Sequence, residues 1–289
     1  MTANRYDELI DIIDQNLYTN IPTTDDFQKK IYESMKYSLS TGGKRVRPIL
    51  ALVSYSLFNE GTNDFSEILP FAVAIEYIHT YSLIHDDLPA MDNDDIRRGK
   101  PTNHKVYNEA IAILAGDGLL NLSAEVISKE LESITDPVKL KRAIKSFRYI
   151  FSSSGIQGMV GGQTIDIDLS VEDMSLEEVE TMYKLKTGSL IKAPIAVGAI
   201  IGGATPEELI SIEGYAEQLG LQYQIKDDIL DFDEDIKSDV ATLSKLVSKE
   251  ELEKLLVKTY NQAINYLDEI DRNTDELKSI AKDLLNRSK

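Results

Sequence analysis

Two groups of aspartates could carry chemistry in this sequence: Asp86, Asp87 and Asp92 in one, Asp227, Asp228 and Asp231 in the other. Each stands in strongly apolar sequence, where an ionised carboxylate is costly unless positive charge lies against it. Hard divalent cations, rather than neighbouring lysines or arginines, are the expected partners, with a polyanionic substrate completing their oxygen shells. That combination suits a magnesium-dependent enzyme acting on a diphosphate. In the second group, residues 227 and 231 are i and i+4, and 228 and 231 are i and i+3, so a helix brings them to one face. Three like charges there repel unless a cation bridges them. A solvated acidic stripe has the same spacing, but Leu221, Ile225, Ile229, Leu230 and Phe232 interleave with the acids and argue against full solvation.

The first group is placed against the grain of helix electrostatics. Its aspartates follow a long apolar stretch, at the C-terminal end of the predicted helix, where the macrodipole disfavours anions, and Pro89 stops the helix from running on undisturbed. Asp92 is two residues too far along for a helical repeat, so Leu88 to Met91 must bulge to bring it back. A turn then returns Arg97 and Arg98, and guanidinium is the natural fork for phosphate oxygens. The alternative is that these arginines only pair with Asp94 and Asp95.

The elements that must position these groups read as helices. Tyr6, Leu9, Ile10, Ile13 and Leu17 recur at helical spacing, and Phe27, Ile31, Met35 and Leu39 repeat it after Ile21-Pro22, with Gly42-Gly43 as the stop. The apolar stretches 49–58 and 68–84 are too long for ordinary strands and predict helices buried on most sides. Starts are marked by Asp136-Pro137, Ser175 with Glu178, Thr205-Pro206 with Glu208, and Ser248 with Glu251. Ten or more helices result, with no alternating strand pattern, so the expected class is all-α in a single domain over 1–289. The chain has 289 residues, 42% of them hydrophobic, a size near the limit for one core. A net charge of −18 excludes general nucleic-acid binding. The absence of cysteine excludes thiol chemistry. No unbroken run of 18 apolar residues occurs and the first residues lack a signal layout, so a cytoplasmic protein without stable membrane insertion is expected.

The segment HDDLPAMDNDDIRRGKPTNH (His85 to His104) belongs to a wider set. GGKRVRP (Gly42 to Pro48) and IEYIHTYSLI (Ile75 to Ile84) precede it. GGQTIDID (Gly161 to Asp168), YKLKTGSLI (Tyr183 to Ile191) and QYQIKDDILD (Gln222 to Asp231) follow. Six motifs in this order resemble the short-chain trans-prenyltransferases of the bacterial farnesyl diphosphate synthase type, over nearly the whole chain. The resemblance implies an isoprenoid synthase helical bundle around a central cavity, usually a homodimer. It implies three magnesium ions held against an allylic diphosphate, with Asp86, Asp92 and Asp227 as direct ligands and Asp87, Asp228 and Asp231 as weaker or water-mediated ones. Arg97, Lys186, Thr187 and Gln224 match residues that grip the allylic diphosphate or face the developing cation. Lys44, Arg47, His79 and Arg98 match a metal-free pocket for isopentenyl diphosphate; by itself, His79 reads as a core histidine.

Tyr81, with Ser82 beside it, matches the floor that stops the growing chain at fifteen carbons. One region departs from the family. After Asp231 the loop is several residues short and lacks its glycines, Lys237 stands in for the first loop lysine, and no second lysine is evident. The activity implied is condensation of isopentenyl diphosphate with dimethylallyl and geranyl diphosphate. Rivals are a geranylgeranyl or longer-chain synthase, a terpene cyclase (which would lack the basic pocket) and a regulatory subunit, which would lose first-group aspartates.

Overall fold

The computed structural model describes Met1 and residues 3–169, 174–237 and 241–288. In chain order the helices are α1 (Ala3–Asn16), α2 (Lys29–Ser40), α3 (Val46–Phe58), α4 (Leu69–Asp86), α5 (Asn103–Tyr107), α6 (Glu109–Ser133) and α7 (Pro137–Ser154). They continue as α8 (Met159–Asp168), α9 (Leu176–Tyr183), α10 (Ser189–Gly202), α11 (Pro206–Leu230), α12 (Phe232–Asp235), α13 (Lys249–Asp268) and α14 (Asp275–Leu285). A π-turn, Lys184–Gly188, joins α9 to α10, and a 3-10 turn, Leu243–Lys245, precedes α13. The class is all-α, as expected.

The starts follow from local chemistry. Ser175, Thr205 and Ser248 each form a complete capping box with the glutamate three residues on, which satisfies two orphan donors per helix. Asp136 accepts from the amides of Val138 and Lys139 at 2.8 and 2.9 Å, with Pro137 in the first turn where its missing N–H costs nothing. The stretch 68–84 becomes α4, buried almost all round from Phe71 to Ile84, and Tyr77 satisfies its hydroxyl on the carbonyl of Leu17 at 2.7 Å. Leu9 and Ile13 on α1, and Leu17 just beyond it, are fully buried, worth about 1.5–3 kcal/mol each. Phe27 departs from the expected stripe: it precedes α2 and is fully exposed, while Met35 and Leu39 are buried.

A second departure is a short hairpin. β1 (Ile96–Arg97) pairs antiparallel with β2 (Lys100–Pro101), Arg97 opposite Lys100. Its loop is Arg98-Gly99, both at positive φ (53° and 74°), the backbone a two-residue hairpin needs and glycine supplies at least cost. Two-residue strands are too short to show alternation in sequence.

The chain forms two compact units, one of Thr2–Leu52 and Asp64–Phe147, the other of Met1, Val53–Asn63 and Arg148–Lys289. In the first unit, α4 packs on α6 and α2. In the second, α11 packs on α13 and α10, and α8 lies against the π-turn. By length and hydropathy, Glu109–Ser133 and Leu176–Gly202 are apolar enough to cross a membrane, although no unbroken apolar run occurs. The packing of α6 on α4 and of α10 on α11 gives these apolar stretches partners within the protein.

Candidate active site

In the first unit, α4 carries His79, Tyr81, Ser82 and, as its last residue, Asp86. The residues after it close on themselves. The amide of Leu88 donates to His85 at 3.2 Å, that of Met91 to Leu88 at 2.9 Å, and that of Asp92 to the carbonyl of Asp86 at 2.9 Å. This is the bulge that the spacing demanded, and it brings the backbone of Asp92 back to Asp86. The hairpin then returns Arg97, whose Nε donates to the buried Asp87 at 2.6 Å and whose Nη2 donates to Asp94 at 3.3 Å. Burial pushes the Asp87 carboxyl up, and the guanidinium of Arg97 pulls against it. Arg98 donates instead to the carbonyl of Gly42, on the loop that carries Lys44 and leads into α3 with Arg47, and Asp95 pairs with Lys105 at 2.6 Å. Asp87, Arg97, Arg98, Thr80, Thr102 and Asn103 line one pocket.

His79 lies 3.2 Å from Nη1 of Arg47 through Nε2. A guanidinium can only donate, so Nε2 is the acceptor and Nδ1 carries the proton. Burial, with Arg47, Arg98, Arg97 and Arg45 around it, holds the imidazole well below its ordinary pKa, hence neutral. Lys44 is exposed. Tyr81 is 7% exposed and meets the ring of His85 edge-on at 5.8 Å. Burial, then the charge of Asp86, pushes its phenol up to about 12. Ser82 donates to the carbonyl of His79 at 2.9 Å.

In the second unit, Asp227 and Asp228 lie in the last turn of α11, and Asp231 stands just beyond it, exposed. The three do not share one environment. Asp228 is 5% exposed and accepts from the hydroxyl of Tyr183 at 2.7 Å and the amide of Leu243 at 3.2 Å. Burial pushes its carboxyl up to about 7, with the Tyr183 hydrogen bond opposing. Asp227 forms an ion pair with Arg287, whose guanidinium also lies over the Tyr223 ring at 5.5 Å. Arginines thus lie against two of the acids, beside whatever the expected divalent cations supply. Arg97 serves Asp87 because the hairpin folds it back, and Arg287 reaches Asp227 from beyond α14. Among the described residues no three His, Cys, Asp or Glu side chains converge as a metal group. The donors are nevertheless all carboxylate oxygens, which magnesium prefers. The raised carboxyl of Asp228 marks a buried acid short of positive charge.

The π-turn carries Lys186 and Thr187, and Lys186 pairs with Asp166 on α8 at 2.6 Å. Single π-turns inside helices recur at functional sites. Gly162 makes this one possible: a Cβ there would lie 2.1 Å from the backbone nitrogen of Lys186. Gly162→Ala is expected to displace Lys186 and Thr187 and lower turnover by about 10²-fold, the usual cost of misplacing a catalytic group by an ångström. Steady-state kinetics beside an unchanged far-ultraviolet circular dichroism spectrum checks it; full activity would exclude a positional role for the turn. Gln224 is half-buried on α11. Lys237 is exposed, and the rest of the shortened loop, residues 238–240, lies outside the described residues. Sequence reasoning gave no role to Tyr183, Asp166, Gly162 or Arg287, although the first three stand inside motifs it singled out.

The sequence model of the family described as polyprenyl synthetase matches residues 28–271. The farnesyl diphosphate synthase of Bacillus subtilis (strain 168) is 41% identical over 208 residues, covering 72% of this chain and 68% of that protein. The geranylgeranyl diphosphate synthase of Cyanophora paradoxa is 40% identical over 293 residues, covering 96% and 94%. Among solved structures, an apo FPP/GFPP synthase from Zymomonas mobilis superposes with a TM-score of 0.88 at 35% identity, covering 98% of each chain.

Proposed function

This chain belongs to the polyprenyl synthetase family and is a prenyltransferase, and we propose that it condenses isopentenyl diphosphate with dimethylallyl and then geranyl diphosphate to give farnesyl diphosphate. The observation that carries the fifteen-carbon product is Tyr81, buried on α4 five residues before Asp86. Magnesium ions, three with the allylic substrate bound, would be held by Asp86, Asp92 and Asp227 with Asp87, Asp228 and Asp231 behind them, and would stabilise the leaving diphosphate. Arg97 and Lys186 add fixed positive charge to that leaving group. Thr187 and Gln224 face the allylic cation. Lys44, Arg47, His79 and Arg98 hold the second diphosphate, so that the double bond of isopentenyl diphosphate meets the cation without an association penalty. The allylic carbon–oxygen bond breaks, a carbon–carbon bond forms, and the proton lost passes to the released diphosphate. Water must be kept from the cation throughout, since it would quench it to an alcohol.

We take the enzyme to act in the cytoplasm, and as a homodimer, the latter supported by the half-exposed apolar pair Ile113 and Leu114 on α6. A second reading, a geranylgeranyl synthase, is favoured by the Cyanophora relative, which matches almost end to end. Labelled isopentenyl diphosphate supplied with each allylic primer and magnesium separates them: a fifteen-carbon product supports the first, a twenty-carbon product the second.

The two substrate roles are separable by kinetics. Lys44→Ala or His79→Ala is expected to raise KM for isopentenyl diphosphate by about tenfold, whereas Arg97→Ala acts on the allylic KM or on kcat. If all three changes moved only allylic parameters, the division of these residues between the two diphosphates would be wrong.

A further inference from the structure

Arg45 stands between Lys44 and Arg47, yet its side chain is buried, at 5% exposure. All three arms of its guanidinium are used. Nε donates to Asp14 on α1, Nη1 to Glu76 on α4, and Nη2 to the carbonyl of Leu39 on α2, each at 2.8 Å. A lysine has no planar fork and could not meet three partners in these directions. The backbone of Arg45 is left-handed, with φ +46°, a conformation uncommon outside glycine that persists only where the surroundings impose it. Glu76 itself is 3% exposed and lies three residues, about one helical turn, before His79. The fork thus ties the loop bearing Lys44, and the start of α3 bearing Arg47, to the helix bearing His79. Arg47 closes the same connection from the other side, on His79 at 3.2 Å.

We propose that Arg45, through Glu76, is a positioning residue for the isopentenyl diphosphate pocket, setting the separation between the cations Lys44 and Arg47 at the start of α3 and His79 on α4. It touches no substrate. The inference rests on the reading of Lys44, Arg47 and His79 given above. A merely stabilising role fits less well, because a buried ion pair is often no more stable than apolar residues of similar volume, while an apolar pair would not aim three hydrogen bonds at three helices.

The test is a split of kinetic constants. Arg45→Lys and the double variant Arg45→Met/Glu76→Met, which removes both charges together, are each expected to raise KM for isopentenyl diphosphate about tenfold, with kcat and the allylic KM within about twofold. Asp14→Asn alters only the half-exposed arm and is expected to raise the same KM about threefold, and it decides the matter if the buried variants do not fold. Folded variants with an unchanged isopentenyl diphosphate KM, or with a loss in kcat alone, would overturn the proposal. Lys44→Ala is the reference: if it too leaves that KM unchanged, the pocket assignment fails. If Lys44→Ala raises it and the Arg45 variants do not, the positioning role alone fails.

Discussion

Asp86→Ala is expected to lower turnover by at least about 10²–10³-fold, the scale on which one preorganised electrostatic group at a developing charge contributes. The fold has little reason to suffer. Asp86 closes the loop through its backbone carbonyl, which accepts from Asp92 at 2.9 Å, and alanine keeps that carbonyl. The carboxylate sits at the C-terminal end of α4, where the macrodipole opposes an anion by about 0.3–1 kcal/mol, and beside other acids. Its removal should leave the melting temperature of the metal-free protein unchanged or slightly higher. Asp227→Ala should lose turnover equally but gain no stability, because it gives up the ion pair with Arg287. Turnover across a magnesium titration, with thermal melts of the same samples, checks both. Near-normal turnover of either variant with magnesium would remove that aspartate from the metal-binding reading.

What was legible in the sequence was what local chemistry decides. α4 follows from an apolar stretch too long for a strand, and the three capping boxes follow from a hydroxyl and a glutamate at the right spacing. The bulge of Leu88 to Met91 follows from Pro89 and a carboxylate two residues out of register. The illegible parts depend on distant partners. Asp228 is buried against Tyr183, 45 positions away, while Asp231 is exposed, and spacing along one helix cannot report what packs against it. Asp227 meets Arg287, 60 positions on. The hairpin that returns Arg97 to Asp87 rests on two positive-φ residues, and its strands are too short for a period to show. Arg45 sits in a run of cations, where its burial against Glu76 has no sequence signal.

Tyr81→Ala is expected to shift the main product from fifteen carbons to twenty or more. Five residues along a helix span about 7.5 Å, so a bulky side chain at Tyr81 lies within reach of a tail that grows from Asp86. The side chain is 7% exposed and held edge-on by His85 at 5.8 Å, so it is not free to swing away from a growing chain. Its phenol, pushed up to about 12 by burial and by Asp86, stays neutral at any working pH, so the floor does not titrate. Ser82, one residue nearer the aspartates, is too small to stop the chain alone and spends its hydroxyl on the carbonyl of His79. Truncating a buried aromatic costs about 3–5 kcal/mol when the space stays empty. Here a longer apolar tail can fill it, so the variant should melt lower alone and recover part of the loss with a twenty-carbon diphosphate bound. Chain-length analysis of products from labelled isopentenyl diphosphate decides the matter. A Tyr81→Ala enzyme that still stops at fifteen carbons places the floor elsewhere. A native enzyme that already makes twenty removes the farnesyl assignment and shows that Tyr81 does not stop the tail.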